Sequence, residues 1–341
     1  MNQLVSETAG VASPADMSAA QAAARAAVCS VVIPVFNEEA CLPALFARLL
    51  ALRESALDSV EFEFLFVDDG SQDSSLPLLL ALAAQHAFVR VIGLSRNFGH
   101  QMAISAGIDY AQGDWVAVID ADLQDPPELL FDMLQLARQG IDVVYGQRGR
   151  RSGETLFKKL SAAAFYRLLS SLCEVEIPLD TGDFRLMSRR VVLVLRQLRE
   201  RHRFIRGMVP WIGFRSAPLT YARDARFAGE TKYPLRKMLK FAANAIFSFS
   251  AKPLALATYW GAALLLGGGA GAMLLLAAWW CTSPWFSGTV LMVDVVVLLA
   301  GVQSLLLGVQ GAYVARLFEE AKGRPLYVIG MQQNLNPDGS N

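Results

Sequence analysis

Two aspartates one residue apart, Asp120 and Asp122, follow a β-rich run and open the string Asp120-Ala121-Asp122-Leu123-Gln124-Asp125-Pro126-Pro127. Carboxylates at that spacing on a turn can hold one hard divalent cation together, Mg²⁺ or Mn²⁺, and such a cation can bridge to a diphosphate leaving group. Polar turns also produce Asp-x-Asp by chance, with Asp125 then acting as a helix cap, so the pair alone leaves both readings open. Three more polar clusters follow apolar runs: Asn37-Glu38, Asp68-Asp69-Gly70-Ser71 and Ser95-Arg96-Asn97. His86, His100 and His202 show no metal-ligand spacing, and His86 and His202 read as surface residues. Cys29, Cys41, Cys173 and Cys281 form no Cys-x-x-Cys pair, which argues against a zinc site or a disulfide framework and for buried or lipid-facing thiols.

The elements that must position these groups read as an α/β domain. Short β-forming runs at Cys29 to Val35, Phe62 to Val67, Val89 to Leu94, Trp115 to Asp120 and Asp142 to Tyr145 alternate with helical stretches near 39–53, 74–85, 98–111 and 127–139. Pro126 and Pro127 suit the entry to the last of these helices. The rhythm predicts a doubly wound, mainly parallel sheet, in which ligands sit at the carboxyl ends of strands. All four polar clusters fall at such ends.

Lys+Arg and Asp+Glu both number 31 in the 341 residues, so no net positive charge marks a nucleic-acid binder. Between Pro253 and Ala315 the sole charged residue is Asp294. Pro253 to Trp280 would make a helix about 42 Å long, and Thr289 to Ala315 one of similar length, against a hydrocarbon core of roughly 30 Å. With Lys252 before the first run and Arg316, Lys322 and Arg324 after the second, the charge bias predicts a multi-pass bacterial inner-membrane protein with its catalytic domain and C-terminus cytoplasmic. The expected organisation is a disordered extension over 1–28, a catalytic domain over 29–232, a basic amphipathic helix on the membrane surface over 233–252, two transmembrane helices within 253–315 and a tail over 316–341.

The strings VVIPVFNEE (31–39), FLFVDDGSQDSS (64–75), SRNFGHQMAISAGIDYA (95–111), VIDADLQDPPE (118–128), DTGDFRLMSRR (180–190) and RFAGETKYPLRKMLKFA (226–242) resemble family 2 glycosyltransferases of the GT-A fold. The closest resemblance is to polyprenyl-phosphate glycosyltransferases, the group that includes dolichyl-phosphate mannose synthases and bacterial undecaprenyl-phosphate glucosyl- and aminoarabinosyltransferases. It implies a nucleotide-sugar pocket from Pro34, Phe36, Asn37, Glu38 and Asp68, with Asp120, Asp122 and Gln124 at the metal and diphosphate. It implies an acidic residue near the reacting sugar at Asp183, an alternative being a loop carboxylate paired to Arg185. It further implies basic contacts to a lipid phosphate from Arg148, Arg151, Lys158, Arg206 and Lys232, where a solvated charge run is the competing reading.

Processive members of the wider family carry Gln-x-x-Arg-Trp, whereas this chain reads RFIRGMVPW from Arg203 to Trp211, which favours transfer of a single sugar. The expected function is therefore inverting transfer of one hexose, glucose from UDP-glucose as first choice, to undecaprenyl phosphate. GDP-mannose, UDP-4-amino-arabinose and a UDP-N-acetylhexosamine remain alternative donors. A nucleotide-sensing membrane scaffold is the non-enzymatic alternative, and self-association into a homo-oligomer stays open.

Overall fold

A computed structural model describes residues 27–56, 60–149, 181–222 and 288–335, together with 254, 259–261, 263, 264, 266–268, 270, 271 and 273. The expected N-terminal extension up to residue 26, the amphipathic helix over 233–252, and Arg151, Lys158 and Lys232 lie outside the described residues.

The first half alternates strand and helix: β1 (Ala27–Val35), α1 (Leu42–Ser55), β2 (Val60–Asp68), α2 (Ser75–Gln85), β3 (Val89–Leu94), α3 (His100–Tyr110), β4 (Trp115–Val118), a 3₁₀ turn (Pro127–Leu129), α4 (Leu130–Arg138) and β5 (Val143–Arg148). Then follow β6 (Thr181–Ser188), α5 (Arg189–Gln197), α6 (Ile205–Ile212), β7 (Ser216–Tyr221), α7 (Gly288–Ala321) and β8 (Ile329–Gln333). The strands form one sheet in the order β7-β5-β6-β4-β1-β2-β3-β8. Parallel pairing joins β4, β1, β2 and β3, and also β5 to β7.

Two strands depart from a simple parallel winding: β8 pairs antiparallel to β3 at the edge, and β6 inserts between β4 and β5, antiparallel to both. Because β6 runs against both neighbours, β5 and β7 point the same way as β4. Six strands thus direct their carboxyl ends to a single edge, at Val35, Asp68, Leu94, Val118, Arg148 and Tyr221.

The central strands are nearly continuous apolar runs, as a sheet covered on both faces requires. One core contains Leu42, Leu45 and Leu49 of α1, Leu79 of α2 and Met133 of α4 against Val31, Ile33, Phe62, Phe64 and Phe66. The opposite core contains Ile104 of α3, Val191 and Leu195 of α5 and Met208 of α6 against Val32, Leu65, Val67 and Val116. Alternate residues of β1 and β2 therefore feed opposite faces, following the two-residue period of a strand.

The expectation of two membrane-spanning helices, and with it of a multi-pass inner-membrane location, is corrected: among the described residues no helix is long and apolar enough to cross a membrane. The stretch 253–280 is described only in pieces of one to three residues. Helix α7 has 34 residues and carries Asp294 in its first part and Arg316, Glu319 and Glu320 near its end. The residues after 316, expected as a tail, contain the end of α7 and β8, which adds to the sheet edge antiparallel to β3.

Candidate active site

Register explains why distant carboxylates meet. Val118, the last residue of β4, pairs with Arg185 of antiparallel β6. Continuing two residues past β4 and two residues back along β6 sets Asp120 opposite Asp183, so the insertion of β6 carries Asp183 to the Asp120-Asp122 turn. Asp183 is 1% exposed. Arg206, in the first turn of α6, forks onto it, with Nε donating to Oδ1 at 3.0 Å and Nη2 to Oδ2 at 2.8 Å. His100 and Gln101, which open α3, reach the same Oδ2 at 3.2 and 3.3 Å. His100 Nε2 also lies 3.5 Å from Asp120 Oδ1, so the imidazole stands between the two carboxylates.

Burial by itself would raise the Asp183 carboxyl, but the Arg206 guanidinium and the His100 bond outweigh it and hold the group well below the usual carboxylate range. Asp120 moves the other way: burial pushes it up to about 6, with His100 opposing and Asp183, Asp125 and Asp122 adding repulsion. On His100, loss of water works against the charged ring, yet the bond to Asp183 and the charge of Asp120 raise its pKa overall. Beneath this cluster the buried Arg185 donates to the carbonyls of Gly182 at 3.0 Å, Asp183 at 3.2 Å and Ile205 at 3.3 Å, tying the start of β6 to α6. Gln101 adds a second tie by accepting from the Ile205 N–H at 3.0 Å.

The metal expectation can be tested on the donor set. Among the described residues no group of three or more His, Cys, Asp or Glu forms a metal cage. Mg²⁺ or Mn²⁺ serving a diphosphate needs no such cage, because one or two carboxylates plus phosphate oxygens and water complete its shell. Asp120 Oδ1 is buried without a hydrogen-bond partner, and Asp122 is also buried, its Oδ1 accepting from the Gln124 N–H at 3.2 Å. A carboxylate raised by burial, with repulsion from its neighbours adding to it, is stabilised by an added cation, so the residues present fit the ion.

The residues expected to hold a nucleotide sit on the ends of β1 and β2. Asp68, 1% exposed, accepts from the N–H groups of Gly70 and Ser71 through Oδ2 at 3.2 and 3.1 Å, while its buried Oδ1 has no hydrogen-bond partner among the described residues. That oxygen can accept from a base N–H or a ribose hydroxyl. Pro34 is buried in β1, and Phe36 is 44% exposed at the strand's end. Asn37 has a φ of 55° and turns its Oδ1 to the Gln72 N–H at 2.8 Å, while Ser71 and Ser75 hydroxyls accept from the Asn37 and Glu38 N–H groups at 3.0 and 2.9 Å. These bonds brace the two loops against one another. Gly70 is required by close approach as well as by its φ of 71°, since a Cβ would meet the Arg96 carbonyl carbon at 2.5 Å.

The structure thus gathers Asp120, Asp122, Asp183 and Arg206 in one cluster, and Asp68 and Phe36 on the same sheet edge. Arg148 ends β5 beside them, close enough that a Cβ on Gly182 would lie 2.7 Å from its Nη2. Arg206 is already engaged by the Asp183 carboxylate. Sequence reasoning missed His100 and Gln101 as site residues, although both lie in the quoted string SRNFGHQMAISAGIDYA. It also missed Asp69, whose carboxylate accepts from the Phe98 and Gly99 N–H groups at 2.7 and 2.9 Å and so fixes the start of α3.

Comparison with known proteins identifies the family. The sequence pattern described as glycosyl transferase family 2 matches residues 30–195. An uncharacterized glycosyltransferase of Bacillus subtilis is 46% identical over 300 residues, covering 88% of this chain and 92% of the relative. A prophage bactoprenol glucosyl transferase homolog of Escherichia coli is 35% identical over 88% of this chain and 97% of its own length. The prophage-derived bactoprenol glucosyl transferase of Shigella flexneri is 35% identical over 90% and 99%, respectively.

Proposed function

The chain belongs to glycosyl transferase family 2, and on that premise we propose that it transfers a single hexose, glucose from UDP-glucose, to a polyprenyl phosphate with inversion at the anomeric carbon. Relatives named bactoprenol glucosyl transferases, alike over nearly their whole length, support the acceptor and the sugar. The observation that carries the reading is the juxtaposition, on the edge that also holds Asp68, of the Asp120-Asp122 turn with Asp183 in its cluster of donors.

In the reaction a phosphate oxygen of the acceptor forms a bond to the anomeric carbon as the bond from that carbon to the UDP β-phosphate oxygen breaks, and UDP leaves. A phosphate already carries a negative oxygen at neutral pH, so the site needs to hold it in line rather than deprotonate it. Asp68 would hold the nucleoside through its unshared oxygen. Asp120 and Asp122 would hold Mg²⁺ or Mn²⁺, with Gln124 beside them. When bound, that ion supplies positive charge against the departing diphosphate. Asp183, kept ionised by Arg206, would orient the sugar or acceptor, with proton transfer secondary. Arg148 is the acceptor-phosphate contact that the described residues support best, by charge-assisted hydrogen bonds; Arg151, Lys158 and Lys232 are proposed to join it.

The test is UDP release by the purified full-length chain with Mn²⁺ or Mg²⁺, across UDP-glucose, UDP-N-acetylhexosamine, UDP-4-amino-arabinose and GDP-mannose, with and without polyprenyl phosphate. UDP-glucose turnover that requires the lipid phosphate and yields a glycolipid is the expected result. Nucleotide binding without lipid-dependent turnover would defeat the proposal and leave a sensor in its place.

A further inference from the structure

We propose that Tyr221 is a positioning residue for the Asp120-Asp122 turn, fastening it through Asp125 to the strand that carries Asp183. This deepens the reading above, since it concerns how the same site is held.

Tyr221 closes β7 and is 6% exposed, and its hydroxyl donates a short hydrogen bond to Oδ1 of Asp125, itself 1% exposed. The Tyr221 ring packs edge-on against Phe184, the neighbour of Asp183, with centroids 5.6 Å apart and planes at 78°. Arg148, its register partner on β5, lies within hydrogen-bonding reach of the same hydroxyl. One side chain therefore touches the turn before α4, the Asp183 strand and the end of β5, three segments that no local sequence feature links. The fit is close on the remaining side, since a Cβ on Gly146 would lie 2.6 Å from the Phe184 ring and 2.9 Å from that of Tyr221.

The turn needs such a fastening. Leu123, between Asp122 and Gln124, has a φ of 60°, a left-handed backbone that a leucine adopts only where its surroundings over-determine it. Its side chain is anchored in the core, 5% exposed. Asp125, two residues on, is the other anchor, and the direction of Asp122 is set between them. Burial and the Asp125 carboxylate both raise the phenol pKa, so the hydroxyl keeps its proton as a donor. A contact that orients a metal-binding turn from behind usually carries about ten- to a hundredfold in metal affinity or activity.

Two measurements on full-length wild type, Tyr221→Phe, Asp125→Asn and Asp125→Leu test the assignment. The first is amide exchange of the peptide covering 119–126 without metal or nucleotide. The second is the Mn²⁺ concentration for half-maximal turnover with UDP-glucose and polyprenyl phosphate. Tyr221→Phe should speed exchange and raise the Mn²⁺ requirement about tenfold or more, while the thermal midpoint stays close to wild type. Asp125→Leu, which removes the acceptor from the other end, should behave alike and substitutes if Tyr221→Phe is unstable. Asp125→Asn keeps an acceptor for the hydroxyl and should recover most of the loss. Unchanged exchange and an unchanged Mn²⁺ requirement in a folded Tyr221→Phe or Asp125→Leu protein would overturn the assignment. A wild type that is idle with UDP-glucose, yet shows the exchange difference, would instead defeat the donor reading and leave the positioning role standing.

Discussion

At the scale of single residues, charge placed on one atom decides the chemistry. Asp122 and Asn have the same shape, but the amide offers a cation no net charge, so Asp122→Asn should lower turnover about a hundredfold or more while leaving the fold intact. Initial rates across Mn²⁺ concentrations, with circular dichroism as the control, check this; near-normal, chelator-insensitive rates would remove the metal assignment. Asp183 makes a different demand. Four donors from Arg206, His100 and Gln101 converge on it, and its pKa is held low, so it suits orientation better than proton abstraction. Asp183→Asn is expected to lower kcat while changing the KM for UDP-glucose less than threefold, roughly, as loss of an interaction used mainly in the transition state would. A rise confined to KM would move Asp183 to donor binding.

At the scale of elements, β6 is the piece on which the site depends, and its far end is pinned by Asp142. The Asp142 carboxylate takes a fork from Arg190 in α5 and a bond from the Ser188 hydroxyl at 3.0 Å, and its backbone oxygen accepts from the Ser188 N–H at 2.8 Å. The Arg190 bond lowers the carboxyl's pKa, with the Ser188 hydroxyl adding to it against burial. A group whose folded pKa is depressed adds stability above its unfolded value and loses it as pH falls through the folded one. Asp142→Asn should therefore melt earlier than wild type at neutral pH, and the two curves should begin to converge below about pH 4 and meet only once the pH has fallen through the lowered folded value. Thermal melts from pH 2 to 8 measure it, and a gap that does not narrow as the pH falls from 4 to 2 would show that shape rather than charge is responsible.

At the scale of the whole molecule, the chain leaves the sheet after β7 and returns to it as β8. Glu320 at the end of α7 accepts from the Arg201 N–H at 2.7 Å, the Tyr327 hydroxyl donates to Asp109 at 2.7 Å, and Asn334 Nδ2 donates to the carbonyls of Ala83 and Val89 at 2.6 and 2.9 Å. The segment beginning at Arg201 leads within five residues to Arg206, so the C-terminal return abuts the loop that delivers a site residue. β8 also covers the edge of β3, where Val91 and Ile92 are fully buried. Ending the chain after Arg324 should lower the thermal midpoint by several degrees and promote self-association through the uncovered edge; calorimetry and light scattering would register both. Unaltered melting would mean that β8 is an ornament of the sheet.

The amino-acid sequence by itself determined the alternating first half, with β3 read to its ends and the other four strands to within a few residues, because apolar periodicity and turn residues are local signals. It also determined the polar clusters at strand ends and the family resemblance carried by their order. What tertiary structure alone decided is non-local. β6 had no clear signal of its own, and antiparallel insertion, not sequence distance, sets Asp183 against Asp120. The fork of Arg206 on Asp183, the bridging place of His100 and the bond from Tyr221 to Asp125 depend on side chains that meet across 23, 83 and 96 residues of chain. Long apolar runs read as membrane spans on composition, yet whether such runs become spanning helices depends on how the chain is built, and among the described residues none did. Local chemistry is written in residue order, whereas the meeting of those groups is set by sheet register and packing, which no short window of sequence contains.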